Sequence, residues 1–227
     1  MIPVIGERLR EVFYFFRANL WALLLVTLPF GAITALVVHL FGEPLLMVNE
    51  QPRVEWKGAV LLTLLQPLAL GMKVVAIHRL AGGLPLALGE VLRESLRLWP
   101  VLAAISVLMG LAVGVGLLVL FVIPGAWLYA RLGYAPIIAV TESRGALEAL
   151  AESWQRSRAQ QFELFMLTLV LGAVLVAVMV ALFGIVAHVD ASATFGADLA
   201  ARGINELLFC LLTISFYRYW SLSRQDA

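Results

Sequence analysis

The sequence predicts an all-α polytopic membrane protein with six transmembrane helices, three amphipathic surface helices and a candidate three-fold internal repeat. Three observations carry that prediction. Of 227 residues, 62% are hydrophobic and 14% charged, against about 25% charged in soluble domains. The apolar residues fall into runs of about 20, the length needed to cross a bilayer. Three amphipathic stretches each precede a pair of such runs. The whole chain, 1–227, reads as a single integral membrane domain made of units 1–80, 86–141 and 145–220.

The first unit opens on Ile2 to Phe16. There Ile5, Leu9, Val12, Phe13 and Phe16 share one helical face, and Glu7, Arg8, Arg10 and Glu11 take the other. That pattern describes a helix lying on a membrane surface. Span one covers 20–41, with Pro29 near its middle. Residues 42–57 hold two prolines and mixed charges and read as a loop. Span two covers 58–80; it contains Gln66-Pro67, and Lys73 near its other end, placed to snorkel to the interface.

The second unit follows a Gly/Pro linker. Leu88, Val91, Leu92, Leu96 and Trp99 form an apolar face opposite Glu90, Arg93, Glu94 and Arg97. Span three, 100–122, carries Ser106, Gly110 and Gly114 at four-residue intervals, a spacing that lets helix backbones approach closely. Pro124-Gly125 is a turn signal, because proline fixes one turn dihedral and glycine supplies the other. Span four, 125–141, is apolar except for Arg131 and is weakened at Pro136. In the third unit Leu147, Leu150, Ala151 and Trp154 face away from Glu148, Glu152, Gln155, Arg156 and Arg158. Span five, 162–187, repeats the small-residue ladder as Ala173, Ala177 and Ala181. Residues 188–203 read as a loop able to hold a short helix, and span six covers 204–220.

Six spans put the N-terminus, the 2–3 and 4–5 connections and the C-terminus on one side. That side holds 11 of the 16 lysines and arginines and the other holds 3, Lys73 and Arg131 lying within spans. The positive-inside rule then places both termini in the cytoplasm. The surface-helix segments also match in residues. Ile5-Gly6-Glu7-Arg8-Leu9-Arg10-Glu11 and Leu88-Gly89-Glu90-Val91-Leu92-Arg93-Glu94 share five of seven. Either the units are parallel repeats, or short amphipathic helices have converged on few residue types.

One stretch organises the chain: Ile123-Pro124-Gly125, Arg131, Pro136, Glu142, Ala149 and Ser153-Trp154. In these residues it resembles the YciC-like family of bacterial inner-membrane proteins. It is also similar to the membrane domain attached to some glycerophosphodiester phosphodiesterases. The resemblance implies a bacterial inner membrane and a six-span module without the soluble phosphodiesterase catalysis. It brings no activity with it.

Arg131 is the sharpest polar candidate. Six residues past Gly125 lie about 9 Å along a helix, inside a hydrocarbon core about 30 Å thick, and an intramembrane charge there points to function or to a partner. Gln66 lies at a compatible depth, Glu206 can supply a counter-charge, and Pro67 and Pro136 free carbonyls on Thr63 and Leu132. The bland alternatives are that Arg131 snorkels, or fixes packing by holding those carbonyls. His39, His78 and His188 are scattered near span ends, so no metal site is expected, and the single cysteine, Cys210, excludes an internal disulfide. Trp127, Tyr129 and Tyr134 read as interfacial anchors or as bundle packing, with anchoring favoured for Trp127 beside the turn, and Glu152 with Arg156 reads as a solvated i, i+4 pair. No nucleophile triad, phosphate loop, paired carboxylates or CxxC occurs, so neither enzyme activity nor a cofactor is expected. Net charge of +1 gives no nucleic-acid footprint. The expected partners are membrane lipids and other inner-membrane proteins. The function expected is that of a scaffold or lipid-interacting accessory protein, with a small-molecule or lipid transporter or channel component as the alternative.

Overall fold

The computed structural model describes residues 2–42, 45–48, 51–120, 122–186 and 194–224. Helix α1 (Ile2–Ala18) stops at Asn19, whose amide donates back to the Phe15 carbonyl at 2.9 Å. Such local bonding competes with helix propagation. Helix α2 (Leu20–Phe41) follows at once, then a two-stranded antiparallel ribbon, β1 (Leu45–Val48) and β2 (Gln51–Val54), with Leu45 opposite Val54. The sequence alone predicts only a loop there. Pro52 argues against a strand, but each strand of a two-stranded ribbon has a free edge where proline is tolerated.

Helix α3 (Trp56–Ala81) carries Pro67 internally, and helix α4 (Leu88–Leu120) carries Pro100. The second amphipathic segment is therefore the first three turns of a continuous 33-residue helix, not a separate surface helix. Val91 and Ser95 are buried against neighbours, while Leu88, Leu92 and Leu96 form an exposed apolar stripe. The Trp99 indole ties this region to α3 by donating to the Leu64 carbonyl at 2.9 Å.

Helices α5 (Val122–Leu132) and α6 (Ala135–Glu142) replace the expected continuous fourth span. Pro124 and Gly125 lie inside the first turns of α5 rather than forming the turn. A proline in the first turn forfeits no helical hydrogen bond. Gly125 seats against α4: a methyl built on Gly116 would lie 3.1 Å from the Gly125 Cα. The break falls at Gly133-Tyr134. Pro136 has no N–H and its ring collides with the carbonyl one turn earlier, so it ends α5 and opens α6. Gly133 lets the Phe216 ring pack against the break, since a side chain there would run into it.

Helices α7 (Ala146–Arg156), α8 (Gln161–Val186) and α9 (Thr194–Ser223) complete the order. Residues 194–203, read as part of a loop able to hold a short helix, are the first turns of α9, stapled by the Asp198–Arg202 pair at 2.9 Å. His188 lies outside the described residues. Among the described residues five helices are long and apolar enough to cross a membrane: α2, α3, most of α4, α8 and α9.

The core gathers at one end, where α1 meets the last turns of α9. There the second half of α3, all of α6, and residues such as Val91, Leu102, Ala149, Leu164 and Tyr219 pack together. Toward the other end α4 and α8 are largely uncovered. The small-residue ladders differ from expectation accordingly. Ala173, Ala177 and Ala181 are exposed, and methyl groups on Gly110 or Gly114 would meet nothing within 4 Å. Close backbone approach occurs instead between α2 and α9, where a methyl on Gly31 would lie 3.0 Å from the Gly203 Cα.

Candidate functional site

Arg131 lies in the last turn of α5, and the residue is 3% exposed. Its Nη2 donates to the Trp154 carbonyl at 2.5 Å. Trp154 lies in the last turn of α7, where carbonyls lack helical partners and a cation is favoured. The Arg131 carbonyl in turn accepts the Ser153 and Ser157 hydroxyls at 2.9 and 3.0 Å. Each helix end thus caps the other. The guanidinium lies 4.4 Å from the Trp154 ring centroid and 5.7 Å from that of Trp127. The two indoles meet edge to face at 5.3 Å. Trp127 is therefore part of this knot.

The knot extends through its neighbours. Arg156 forks onto both oxygens of Glu142 at 2.7 and 3.0 Å and also bonds Glu152. The predicted i, i+4 pair exists, but Glu142 draws it half-buried into a network. Ala149 is fully buried, and Tyr134, also fully buried, donates to the Gln160 side chain at 2.9 Å. Of the 123–154 motif, Arg131, Glu142, Ser153 and Trp154 meet at this corner, with Ala149 buried beside them on α7.

The predicted intramembrane cluster of Arg131, Gln66 and Glu206 does not assemble. Gln66 is exposed on α3, and Arg131 turns toward α7. Glu206 instead pairs with Lys73 across α3 and α9, Nζ to Oε2 2.5 Å, both side chains 6% exposed. Lys73 therefore does not snorkel; eight residues before Ala81, it lies about 12 Å inside that end of α3. Phe209 flanks its ammonium at 5.9 Å and Cys210 is buried nearby. A lone lysine and a lone glutamate 133 positions apart gave no local signal of this pairing.

Two concavities accompany these groups. A groove of about 850 Å³ lies between α1, α3 and α9. Its floor is apolar: Val12, Phe15, Ile77, Ile214 and Tyr217. Its rim carries Glu7, Arg10, Glu11 and Arg218. A second cavity, about 370 Å³, is lined by Ser106, Gly110, Gly114, Tyr129, Gly133 and Phe216 among others. The glycine ladder of α4 thus faces space rather than a helix.

Beside the first groove, Glu11 bonds Arg218 at 3.0 Å and Arg8 at 3.2 Å. Partial burial pushes its carboxyl up, but the Arg218 and Arg8 hydrogen bonds and charges outweigh this and hold it below the usual carboxylate range. A depressed carboxylate contributes stability above its unfolded pKa, and that contribution disappears as pH falls through the folded value. Docking of α1 should therefore be unchanged from pH 8 to 6 and weaken in acid below the ordinary carboxylate range. Amide exchange confined to α1 would report this; equal α1 protection in that acid range would contradict it.

His78 Nδ1 and the Tyr217 hydroxyl are 2.8 Å apart, joining α3 to α9, and His39 lies edge-on to Phe195. Among the described residues no three His, Cys, Asp or Glu side chains gather as a metal site would require. No family model, curated protein or solved structure matches this chain.

Proposed function

We propose that the protein is a lipid-interacting accessory protein of a bacterial inner membrane, with both termini cytoplasmic and α5 and α6 together forming a broken fourth span. The carrying observation is the 850 Å³ groove, apolar inside and charged at its rim, the form that suits an amphiphile at a membrane interface. The YciC-like reading draws support from the convergence of Arg131, Glu142, Ala149, Ser153 and Trp154 on one corner. The three-unit repeat draws support from α1 and α7, each a short helix before a hairpin.

A photoactivatable phospholipid should cross-link mainly to α1 and the C-terminal half of α9. Labelling spread evenly over α2 and α8 would remove the groove as a lipid site. Reporter fusions at Gly83 and Gly145 should read cytoplasm and at Gln51 periplasm; a cytoplasmic Gln51 would overturn the topology. The alternative, a small transporter, is favoured only by the buried Lys73–Glu206 pair, and proton- or solute-driven flux in proteoliposomes that Lys73→Leu/Glu206→Leu abolishes would promote it.

A further inference from the structure

The groove between α1, α3 and α9 carries a specific charge pattern at its mouth. Its rim holds two carboxylates and two guanidiniums, Glu7, Glu11, Arg10 and Arg218, so the rim is formally neutral. Glu11 is already taken by Arg218 and Arg8. Glu7 and Arg10 remain. Both are exposed, one helical turn apart, and neither has an ion-pair partner among the described residues. A free acid and a free base thus sit side by side above an apolar floor that includes the fully buried Ile77.

We infer that the groove takes a zwitterionic phospholipid whose headgroup bears a primary ammonium, with Glu7 receiving the ammonium and Arg10 the phosphate. Charge complementarity selects this occupant. An anionic lipid would satisfy Arg10 and leave Glu7 facing a negative headgroup. A quaternary ammonium has no N–H to donate to Glu7, whereas a primary ammonium has three donors. The guanidinium of Arg10 is a planar partner suited to phosphate oxygens. The acyl chains would run along Val12, Phe15 and Ile214, where the polarity falls away from the rim.

This inference rests on the groove being a lipid site, and the two can fail separately. The experiment measures retention of phosphatidylethanolamine, phosphatidylglycerol and phosphatidylcholine with identical chains on the purified full chain, by native mass spectrometry alongside the cross-linking. Exposed charge pairs are weak, so the expected preference for phosphatidylethanolamine is about fivefold over the other two. Glu7→Gln should reduce phosphatidylethanolamine to the phosphatidylcholine level and leave phosphatidylglycerol no weaker. Arg10→Gln should weaken all three. Both substitutions are at exposed positions and should leave the thermal midpoint in place. Equal retention of the three headgroups, or a preference for phosphatidylglycerol, with cross-links still on α1 and α9, would overturn ammonium recognition and spare the groove. Loss of those cross-links for every lipid would overturn the groove itself.

Discussion

Lys73→Leu should destabilise the protein by about 3–5 kcal/mol, because it leaves the Glu206 carboxylate buried without its partner. Glu206→Leu should cost about as much by stranding the ammonium. The double substitution Lys73→Leu/Glu206→Leu should recover most of the loss, since a buried ion pair gives little net advantage over packed apolar side chains. The expected coupling is large because the two groups touch at 2.5 Å and both are shielded from solvent. Unfolding midpoints of the four proteins in one detergent decide it. Additive losses in the double mutant would show that the pair does not couple the two helices. The pair also bears on assembly, as it is the charged contact between α3 and α9, with His78 and Tyr217 meeting on the same two helices.

Arg131→Leu should cost about 2 kcal/mol. It removes a charge-assisted hydrogen bond, about 1.5–3 kcal/mol, and two contacts with indole rings, about 0.5–2 kcal/mol each. Leucine returns part of this by relieving a desolvated cation, about 2.5–3.5 kcal/mol on insertion scales. Two nitrogens of the guanidinium, Nε and Nη1, are buried without partners among the described residues, which keeps the net effect moderate. Arg131→Lys keeps the charge and a donor for the Trp154 carbonyl but loses the planar group that lies over the rings, so it should rescue about half. The Ser153 and Ser157 bonds go to the backbone carbonyl of residue 131 and survive either change. Unchanged stability in Arg131→Leu would show that the caps and packing hold this corner without the guanidinium. A variant in which Trp154→Leu abolishes any further cost of Arg131→Leu would identify the indole as the partner that matters.

The residues of this corner were legible in the sequence as important, while their mutual contacts were not. Arg131 stands out as the one charge in an apolar stretch, and Ser153-Trp154 stands out beside it, but their sequence separation hides that they cap each other's helix ends. Ser157 went unnoticed because a serine in a polar joint has no distinguishing context. Pro136 marks a point of weakness in the sequence; in the fold it is a full break, with the Phe216 ring packed against Gly133. Gln66 was assigned to Arg131 on matching depth and Glu206 on opposite charge, and neither says which way a side chain points around a helix. The same limit applies to Gly110 and Gly114, whose spacing is that of a packing seam although they open onto a cavity. Helical runs and surface-helix periodicity were readable because each is a local pattern. The union of the second amphipathic segment with its span was not, since Trp99-Pro100 marks a boundary by local rules and is overridden by burial of Val91 and Ser95.

The joining of the first hairpin to the last helix also sets a clock on synthesis. Tyr217 is made 139 residues after His78, roughly 7–28 s later at 5–20 residues per second. Lys73 likewise precedes its partner Glu206 by 133 residues, so α3 is made well before its counter-charge exists. The nascent chain must carry an unneutralised ammonium in α3, and Gly31 of α2 without its α9 partner, until α9 arrives. Ribosome-bound chains halted between Ala81 and Arg202 should therefore hold α3 loosely and slide it toward the interface, and the hairpin should lock only when the final helix is released.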